Sequence, residues 1–235
     1  MHFDERAAAT YDEDSAAMFD PAVLGPTVDL LAELAGGGPA LEFAIGTGRV
    51  ALPLAARGLE VAGIDESEAM LARLRAKPGA GAVRTAVGDF RSSRMDGEFR
   101  LVYLVFNTIM NVTTQEEQVA TFGNAAAHLA PGGHFVVEVG VPALQRLPPG
   151  ETVRAFALTP QHLGFDEYDV VSQRMWSHHY RRGELFSVPF RYVWPAELDL
   201  MAQLAGLRPK HRWADWTRAP FTAESTAHVS VWQKA

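Results

Sequence analysis

A glycine-containing turn flanked by acidic residues is the part of this chain best suited to chemistry. Gly46-Thr47-Gly48 follows a short apolar run from Ala40 to Ile45 and precedes an apolar helix. Glycine at such a turn lets the backbone approach a ligand, because no Cβ stands in the way. In open α/β sheets, ligands bind at the carboxyl ends of the strands, near the point where the strand order reverses. The pattern therefore predicts a small-molecule site at this turn.

Three acidic residues accompany the turn and indicate what it binds. Asp65 ends the second predicted strand, where a carboxylate can accept hydrogen bonds from ribose hydroxyls, and Asp89 ends the third. Glu42 lies inside the first predicted strand, four residues before Gly46. An acid there is poorly placed beside a pyrophosphate but well placed near a cation. The three acids thus favour S-adenosylmethionine, which carries an ammonium and a sulfonium and has no phosphate.

The elements that must position these residues alternate at short intervals over residues 40–139, where apolar strands are followed by amphipathic helices. This alternation predicts an α/β fold with a doubly wound, mostly parallel, seven-stranded Rossmann-like sheet. After Pro142 a period-2 pattern replaces the helical one and predicts an inserted antiparallel β lid. Strands are expected there at 152–158, 170–180 and 186–194, with a hairpin turn at 181–184. Pro195 opens a helix that ends near Gly206, and two more strands are expected at 208–214 and 227–233.

These patterns divide the chain into three parts. Residues 1–141 are expected to form the cofactor-binding core with an N-terminal helical segment, 142–194 a substrate-binding β insertion, and 195–235 the return to the core. We find no internal repeat and no low-complexity tract in the sequence.

Composition excludes several classes of function. Twenty-one basic and 28 acidic residues give a net charge of −7, which argues against nonspecific binding to nucleic acid. The sequence has no cysteine, so disulfides, thiolate catalysis and cysteine-ligated metals are excluded, and we expect no metal. The first six residues lack the apolar region of a signal peptide, and no apolar run reaches the length of a membrane span. We therefore expect a cytoplasmic protein without a membrane partner. A homodimer is one assembly that the sequence allows.

The residues of the turn also resemble a known motif. Glu42-Phe43-Ala44-Ile45-Gly46-Thr47-Gly48 is similar to the E/D-x-G-x-G-x-G motif of class I S-adenosylmethionine-dependent methyltransferases of the small-molecule type, with Ala44 in place of the first glycine. The resemblance continues through Asp65, the segment 88–90 and the segment 129–133, and covers roughly residues 28–140. It implies S-adenosylmethionine as the cofactor and S-adenosylhomocysteine as the product.

The resemblance also implies roles for individual residues. Asp65 would hold the ribose hydroxyls, Asp89 the adenine amino group, and Asn107 would lie near the methionine part or the substrate. Tyr11 resembles the N-terminal tyrosine that closes over the cofactor in many small-molecule methyltransferases. The complete cofactor set implied in this way is Tyr11, Glu42, Ala44, Gly46, Gly48, Asp65, Glu66, Met70, Gly88, Asp89, Phe90 and Asn107.

The methyl acceptor is expected to bind to the aromatic segment 142–194. Methyl transfer is an in-line displacement, in which the protein mainly positions the acceptor and excludes water. A hydroxyl acceptor usually needs a general base, and His178 and His179 are the candidates; on a strand they face opposite sides, so at most one faces the pocket. The predicted substrate residues are Tyr168, Trp176, Tyr180, Arg191 and Trp194.

The sequence favours methyl transfer to nitrogen or oxygen of a small molecule, such as an amino sugar or another natural product. Two alternatives stay open. An NAD(P)-dependent oxidoreductase on a related sheet is compatible with the pattern of residues 44–51. A noncatalytic domain that binds S-adenosylmethionine is compatible with the same motif.

Overall fold

The computed structural model describes residues 5–181 and 183–235, and two β-sheets organise them. The strands are β1 (Ala40–Phe43), β2 (Val61–Asp65), β3 (Val83–Val87), β4 (Phe99–Leu104), β5 (Leu129–Gly140), β6 (Val153–Thr159), β7 (His162–Asp169), β8 (Arg174–Arg181), β9 (Glu184–Arg191), β10 (Leu207–Trp213) and β11 (Ala227–Lys234). The larger sheet has seven strands in the order β10-β11-β5-β4-β1-β2-β3.

The strand order places the glycine turn at the switch point of this sheet. β1 pairs in parallel with β2 on one side and with β4 on the other, so the chain winds outward in both directions from β1. β11 is antiparallel to both β5 and β10. The carboxyl ends of β1 and β4 are therefore neighbours, and the predicted doubly wound, mostly parallel sheet is confirmed.

Helices cover both faces of the seven-stranded sheet. They are α1 (Glu5–Asp14), α2 (Pro21–Ala35), α3 (Ala51–Ala56), α4 (Glu68–Arg75), α5 (Gln115–His128) and α6 (Pro195–Leu204). Side chains cap three of them at the amino end: the Asp20 carboxylate accepts from Ala22 N at 2.8 Å, the Ser67 hydroxyl from Met70 N at 3.2 Å, and the Thr114 hydroxyl from Glu117 N at 3.2 Å. α2, α3 and α4 pack on one face around Leu31. α5 and α6 pack on the other face, where Phe122 contacts Trp232.

The four-stranded sheet, in the order β6-β7-β8-β9, is antiparallel throughout and lies in the chain between β5 and α6. The predicted inserted antiparallel β structure is thus confirmed, but its strand bounds differ from the expected ones. Residues 170–173 form a turn rather than the start of a strand, and Gln173 has a positive φ of 54° there. β7 was not predicted, because a glycine and several acids hide its alternation. Arg182, in the predicted hairpin turn, lies outside the described residues.

The two faces of this smaller sheet have different surroundings. We call inner face the one that carries Tyr168 and Met175, which are buried against the main core. The same face ends at Glu184, whose carboxylate lies 2.6 Å from the Arg6 guanidinium of α1. β9 also lies against the short helical turn Thr108–Asn111 after β4. The inner face therefore reaches from the carboxyl end of β4 to α1, and the opposite side is the outer face.

Candidate active site

The glycine turn adopts backbone angles that favour small residues. Ala44, Gly46 and Gly48 have φ values of 54°, 55° and 81°. A Cβ on Gly48 would also come within 2.9 Å of Leu74 Cγ, so this position requires glycine on two grounds. The turn thereby leaves its backbone uncovered at the carboxyl end of β1.

Asp65 ties the glycine turn to the end of β2. Its carboxylate accepts one hydrogen bond from Gly46 N and one from Ser67 N, each of 2.8 Å. Burial raises the pKa of this carboxyl, while the two backbone hydrogen bonds act in the opposite direction. Because an ionised carboxylate offers about four acceptor positions, two remain for a ligand.

Glu42 is a buried acid beneath the turn. The Tyr103 hydroxyl donates to its carboxylate at 2.8 Å, and only 3% of the residue is exposed. Burial raises the Glu42 pKa to about 8, although the Tyr103 hydrogen bond and the charge of Arg49 oppose the shift. A ligand cation nearby would favour the ionised form of this acid.

The turn fits a cationic adenosyl ligand better than a dinucleotide. A pyrophosphate needs free backbone N–H groups at the helix amino end. Here Gly46 N donates to Asp65, and Gly48 N donates to Ile45 O at 3.0 Å. A diphosphate would disfavour the ionised form of Glu42, whereas an ammonium or a sulfonium would stabilise it. The donor set therefore matches S-adenosylmethionine.

The N-terminal helix α1 is fastened to the same turn by a contact that the sequence analysis missed. Asp12 accepts a hydrogen bond from the Thr47 hydroxyl at 2.6 Å and pairs with the Lys77 ammonium at 2.5 Å. Lys77 also donates to Thr47 O at 2.8 Å. Neighbouring Tyr11 is largely buried, and burial raises its pKa. Tyr11 thus lies close enough to Arg49 and Glu42 for their charges to affect its pKa.

Arg91, shortly after the end of β3, pairs with three acidic side chains. Its guanidinium contacts Asp89 at 2.7 Å, Glu117 at 2.5 Å and Glu66 at 3.5 Å. Burial alone would raise the Asp89 pKa, but hydrogen bonds and charge from Arg91 outweigh it, and the pKa lies below its ordinary value. Asp89 is consequently ionised and already paired. Nothing in the pattern around residues 88–90 indicated Arg91 as its partner.

Three other predicted cofactor residues, Gly88, Met70 and Phe90, have different surroundings. Gly88 N donates to Asp65 O at 2.9 Å. The Met70 methyl group lies 3.4 Å from the position that a Cβ of Gly46 would occupy. Phe90 is buried in the core, with its ring 5.7 Å from that of Phe43. Met70 therefore lines the turn, whereas Phe90 packs into the core.

The ends of β4 and β5 are joined by a residue that was not predicted, Glu138. Its carboxylate accepts from Phe106 N and from the Trp216 indole, each at 2.9 Å. Asn107 has a positive φ of 60°, and its side-chain oxygen accepts from Gly140 N at 2.6 Å. The sequence contained one signal for Glu138: like Glu42, it is an acid near the end of an otherwise apolar strand.

The two neighbouring histidines lie on opposite faces of β8, as strand alternation predicts. His179 is on the inner face, and its Nδ1 lies 3.0 Å from His162 Nε2. Burial lowers the His179 pKa to about 4, so the ring is neutral near pH 7. His178 is on the outer face, where its ring nitrogens contact Ser187 at 2.7 Å and Glu167 at 3.3 Å.

The predicted substrate residues are not brought together. Tyr168 is on the inner face, whereas Trp176 and Tyr180 share the outer face with His178, because all three have the same parity on β8. The Arg191 guanidinium is buried in an ion pair with Glu197 of α6 at 2.6 Å. Trp194, at the start of α6, is about one third exposed.

Residues 5–181 and 183–235 contain no group of three or more His, Asp or Glu side chains arranged to hold a metal ion. Within those same ranges, none of the helices combines the length and the apolar character needed to cross a membrane.

Comparison with known proteins agrees with this geometry. A family model described as a methyltransferase domain matches residues 40–133. The structure of the CcbJ methyltransferase from Streptomyces caelestis is 38% identical, with 89% of this chain and 88% of that chain covered and a TM-score of 0.79. The cypemycin N-terminal methyltransferase from Streptomyces sp is 29% identical, over 96% of this chain and 98% of its own length.

A third comparison includes a bound cofactor. The structure of an amino pentose methyltransferase from Micromonospora echinaspora, with S-adenosylmethionine bound, is 20% identical over 90% of each chain, with a TM-score of 0.64. At that identity the likeness shows the shared fold. The relative at 38% identity covers most of the chain, and the matched domain contains the glycine turn and the acids at the strand ends. The chain therefore belongs to the class I S-adenosylmethionine-dependent methyltransferases and uses S-adenosylmethionine as its methyl donor.

Proposed function

We propose that this enzyme transfers the methyl group of S-adenosylmethionine to an amino nitrogen of a small natural product, such as an amino sugar. The position of the inner face carries this proposal. That face spans from the turn Thr108–Asn111, after β4, to α1. α1 is itself fastened to the glycine turn through Asp12. An acceptor bound on the inner face would therefore lie between the aromatic sheet and the cofactor edge.

The inner face has the character of a pocket for a small organic molecule. Phe156, His179 and Phe186 form an aromatic group on it, with ring centroids 5.3 Å and 4.9 Å apart. Phe156 and Phe186 are each nearly half exposed, so their surfaces are available to a ligand. Mostly apolar pockets with a few polar groups are typical of small-molecule sites. This character supports a small-molecule acceptor rather than a nucleic acid.

The cofactor side of the site follows from the strand ends. We propose that Asp65 holds the ribose hydroxyls with its two remaining acceptor positions, and that Glu42 faces the positive charge of the cofactor. Asp89, with Arg91, would bind the adenine end, and Tyr11 would cover the site from α1. When bound, S-adenosylmethionine supplies the methyl group and a thioether leaving group, so the chain needs no nucleophile of its own.

Nitrogen is favoured over oxygen as the acceptor atom. A free amine needs no strong base at the moment of attack, whereas a hydroxyl usually does. Both ring nitrogens of His179 are engaged, by His162 and by the Ser177 hydroxyl at 3.2 Å, so neither is left to take a proton from a substrate. One of the proteins described above is named an N-terminal methyltransferase, and another an amino pentose methyltransferase. Under this proposal His179 positions the pocket, and His178, on the outer face, stands outside it.

Transfer of a deuterated methyl group tests the proposal. The enzyme would be incubated with trideuteromethyl S-adenosylmethionine and amine and hydroxyl partners of the same skeleton, such as glucosamine and glucose. Mass spectrometry should find the label on the amines. Label on the hydroxyl partners alone would contradict the choice of nitrogen. Binding of S-adenosylhomocysteine without turnover of any acceptor would favour the noncatalytic alternative.

A further inference from the structure

We propose that Asp166, on the inner face, binds the amino group of the methyl acceptor and selects amines over hydroxyls. This inference rests on the proposed N-methyltransferase function. It adds the residue that recognises the acceptor, which neither the motifs nor the comparisons assign.

The strand register places Asp166 at the base of the inner face. It pairs with Ser177 on β8, one inward-facing row beyond Tyr168 and Met175, which are buried in the core. The next row contains His179 and its neighbour across β9, Phe186. Asp166 thus lies between the row that meets the main core and the exposed aromatic group.

A directed chain of hydrogen bonds ends at Asp166. Arg181 donates to His162 Nδ1 at 3.0 Å, and arginine has donors only. A neutral His162 must then carry its proton on Nε2 and donate to His179 Nδ1. His179 in turn donates from Nε2 to the Ser177 hydroxyl.

The last step of the chain fixes the role of Asp166. Because its oxygen accepts from His179, Ser177 directs its own proton to the Asp166 carboxylate, with which it is hydrogen bonded. Both histidines are neutral near pH 7, since burial lowers the pKa of each. The hydrogen-bond chain therefore ends in a donor to Asp166, which partly offsets the burial that raises its pKa and leaves further acceptor positions on the carboxylate.

The surroundings of Asp166 suit an organic cation. Aromatic rings and neutral imidazoles line the face beyond it, and a carboxylate in such a place attracts an ammonium more strongly than in water. Burial raises the Asp166 pKa, and the charge of Arg154, which lies opposite Asp166 in the register with β6, acts in the opposite direction. A purely structural pair of Asp166 with Arg154 is therefore the competing role that an experiment must distinguish.

Binding of matched probes to the enzyme saturated with S-adenosylhomocysteine makes this distinction. The probes are phenethylamine with phenethyl alcohol, and glucosamine with glucose, titrated by calorimetry near pH 7. We expect at least one amine to bind the wild type about tenfold or more tightly than its hydroxyl partner. Asp166→Asn should remove that preference. Glu167→Gln, which changes the adjacent acid on the outer face, should retain it.

The hydrogen-bond chain gives a second test. Ser177→Ala should weaken the preference for the amine, and Ser177→Thr, which restores the hydroxyl, should recover it. A merely structural role for Ser177 would move the affinities of both probes together. The proposal is overturned if no amine binds more tightly than its partner, or if Asp166→Asn retains the wild-type ratio. If the wild type does not bind S-adenosylhomocysteine at all, that result would instead count against the proposed methyltransferase function itself.

Discussion

At the scale of single residues, burial and hydrogen-bond donors give acids of similar chemistry different properties. Asp65 receives two backbone N–H groups, Asp89 receives a guanidinium, and Glu42 is fully buried and receives the Tyr103 phenol. Arg91 keeps Asp89 ionised, and Asp65 retains acceptor positions for a ligand although burial raises its pKa. The buried setting holds Glu42 near the pH at which it ionises, so that a bound cation would change its state.

Replacing Asp65 should weaken cofactor binding. Asp65→Ala removes the acceptor of Gly46 N and Ser67 N together with the proposed ribose contact, and affinity for S-adenosylhomocysteine should fall by about 1–3 kcal/mol in calorimetry. Glu68→Gln, at an exposed acid of the adjacent helix, is the matched control and should bind like the wild type. An unchanged affinity in Asp65→Ala would refute the ribose role.

Glu42 should make stability depend on pH. Its pKa is about 8 in the folded chain and near 4.5 when unfolded, so between these values the folded state holds a proton that the unfolded state has lost. The contribution of this group to the free energy of unfolding therefore declines as pH rises from about 4.5 to about 8. Glu42→Gln retains an acceptor for Tyr103 and cannot ionise, so its stability relative to the wild type should increase across that window.

Denaturant unfolding of both proteins at several pH values checks this expectation. Glu98→Gln, at an exposed acid, serves as the control and should show no such trend. A difference between Glu42→Gln and the wild type that is the same at every pH would mean that Glu42 is already ionised in the folded chain.

At the scale of elements, hydrophobic periodicity predicted the helices and strands that bury one face or that are buried on both faces. β4 is apolar and buried apart from the exposed Arg100, and Pro195 opens α6 as expected. β7 was not predicted, because Gly164 occupies a position where a large side chain would have indicated a strand. The Phe156 ring lies over this glycine, within 2.4 Å of where a Cβ would be. The packing of α1 against the glycine turn could not be predicted either, since it depends on the ion pair of Asp12 with Lys77, which is distant in the sequence.

Loosening α1 should expose the cofactor site. Asp12→Ala removes the hydrogen bond from Thr47 and the ion pair with Lys77, interactions worth about 1 kcal/mol together at a half-exposed position. Amide hydrogen exchange in α1 should therefore accelerate, and affinity for S-adenosylhomocysteine should fall modestly. Glu13→Ala, an exposed position on the same helix, should leave both unchanged. Equal exchange in the two variants would argue against this contact as the fastening of α1.

At the scale of the whole molecule, the part of the fold that contains the glycine turn was predictable, whereas the proposed acceptor surface was not. The glycine turn and Asp65 are close in sequence and are fixed by the parallel pairing of β1 with β2. The acceptor surface depends instead on three successive hairpins, in which one misplaced turn exchanges the faces of every later residue. The sequence alone therefore did not show that His179 and Tyr168 share the inner face or that Trp176 lies on the outer face. For the same reason Asp166 was not predicted.

In this enzyme the glycine turn and the acids around it form a site suited to a cationic adenosyl cofactor. Calorimetric titration of the purified chain with S-adenosylhomocysteine and, separately, with NADH tests this claim most directly. We expect S-adenosylhomocysteine to bind with one site per chain and NADH to produce no binding heat, because Asp65 and Ile45 already occupy the N–H groups that a diphosphate would need. Binding of NADH without binding of S-adenosylhomocysteine would contradict the account.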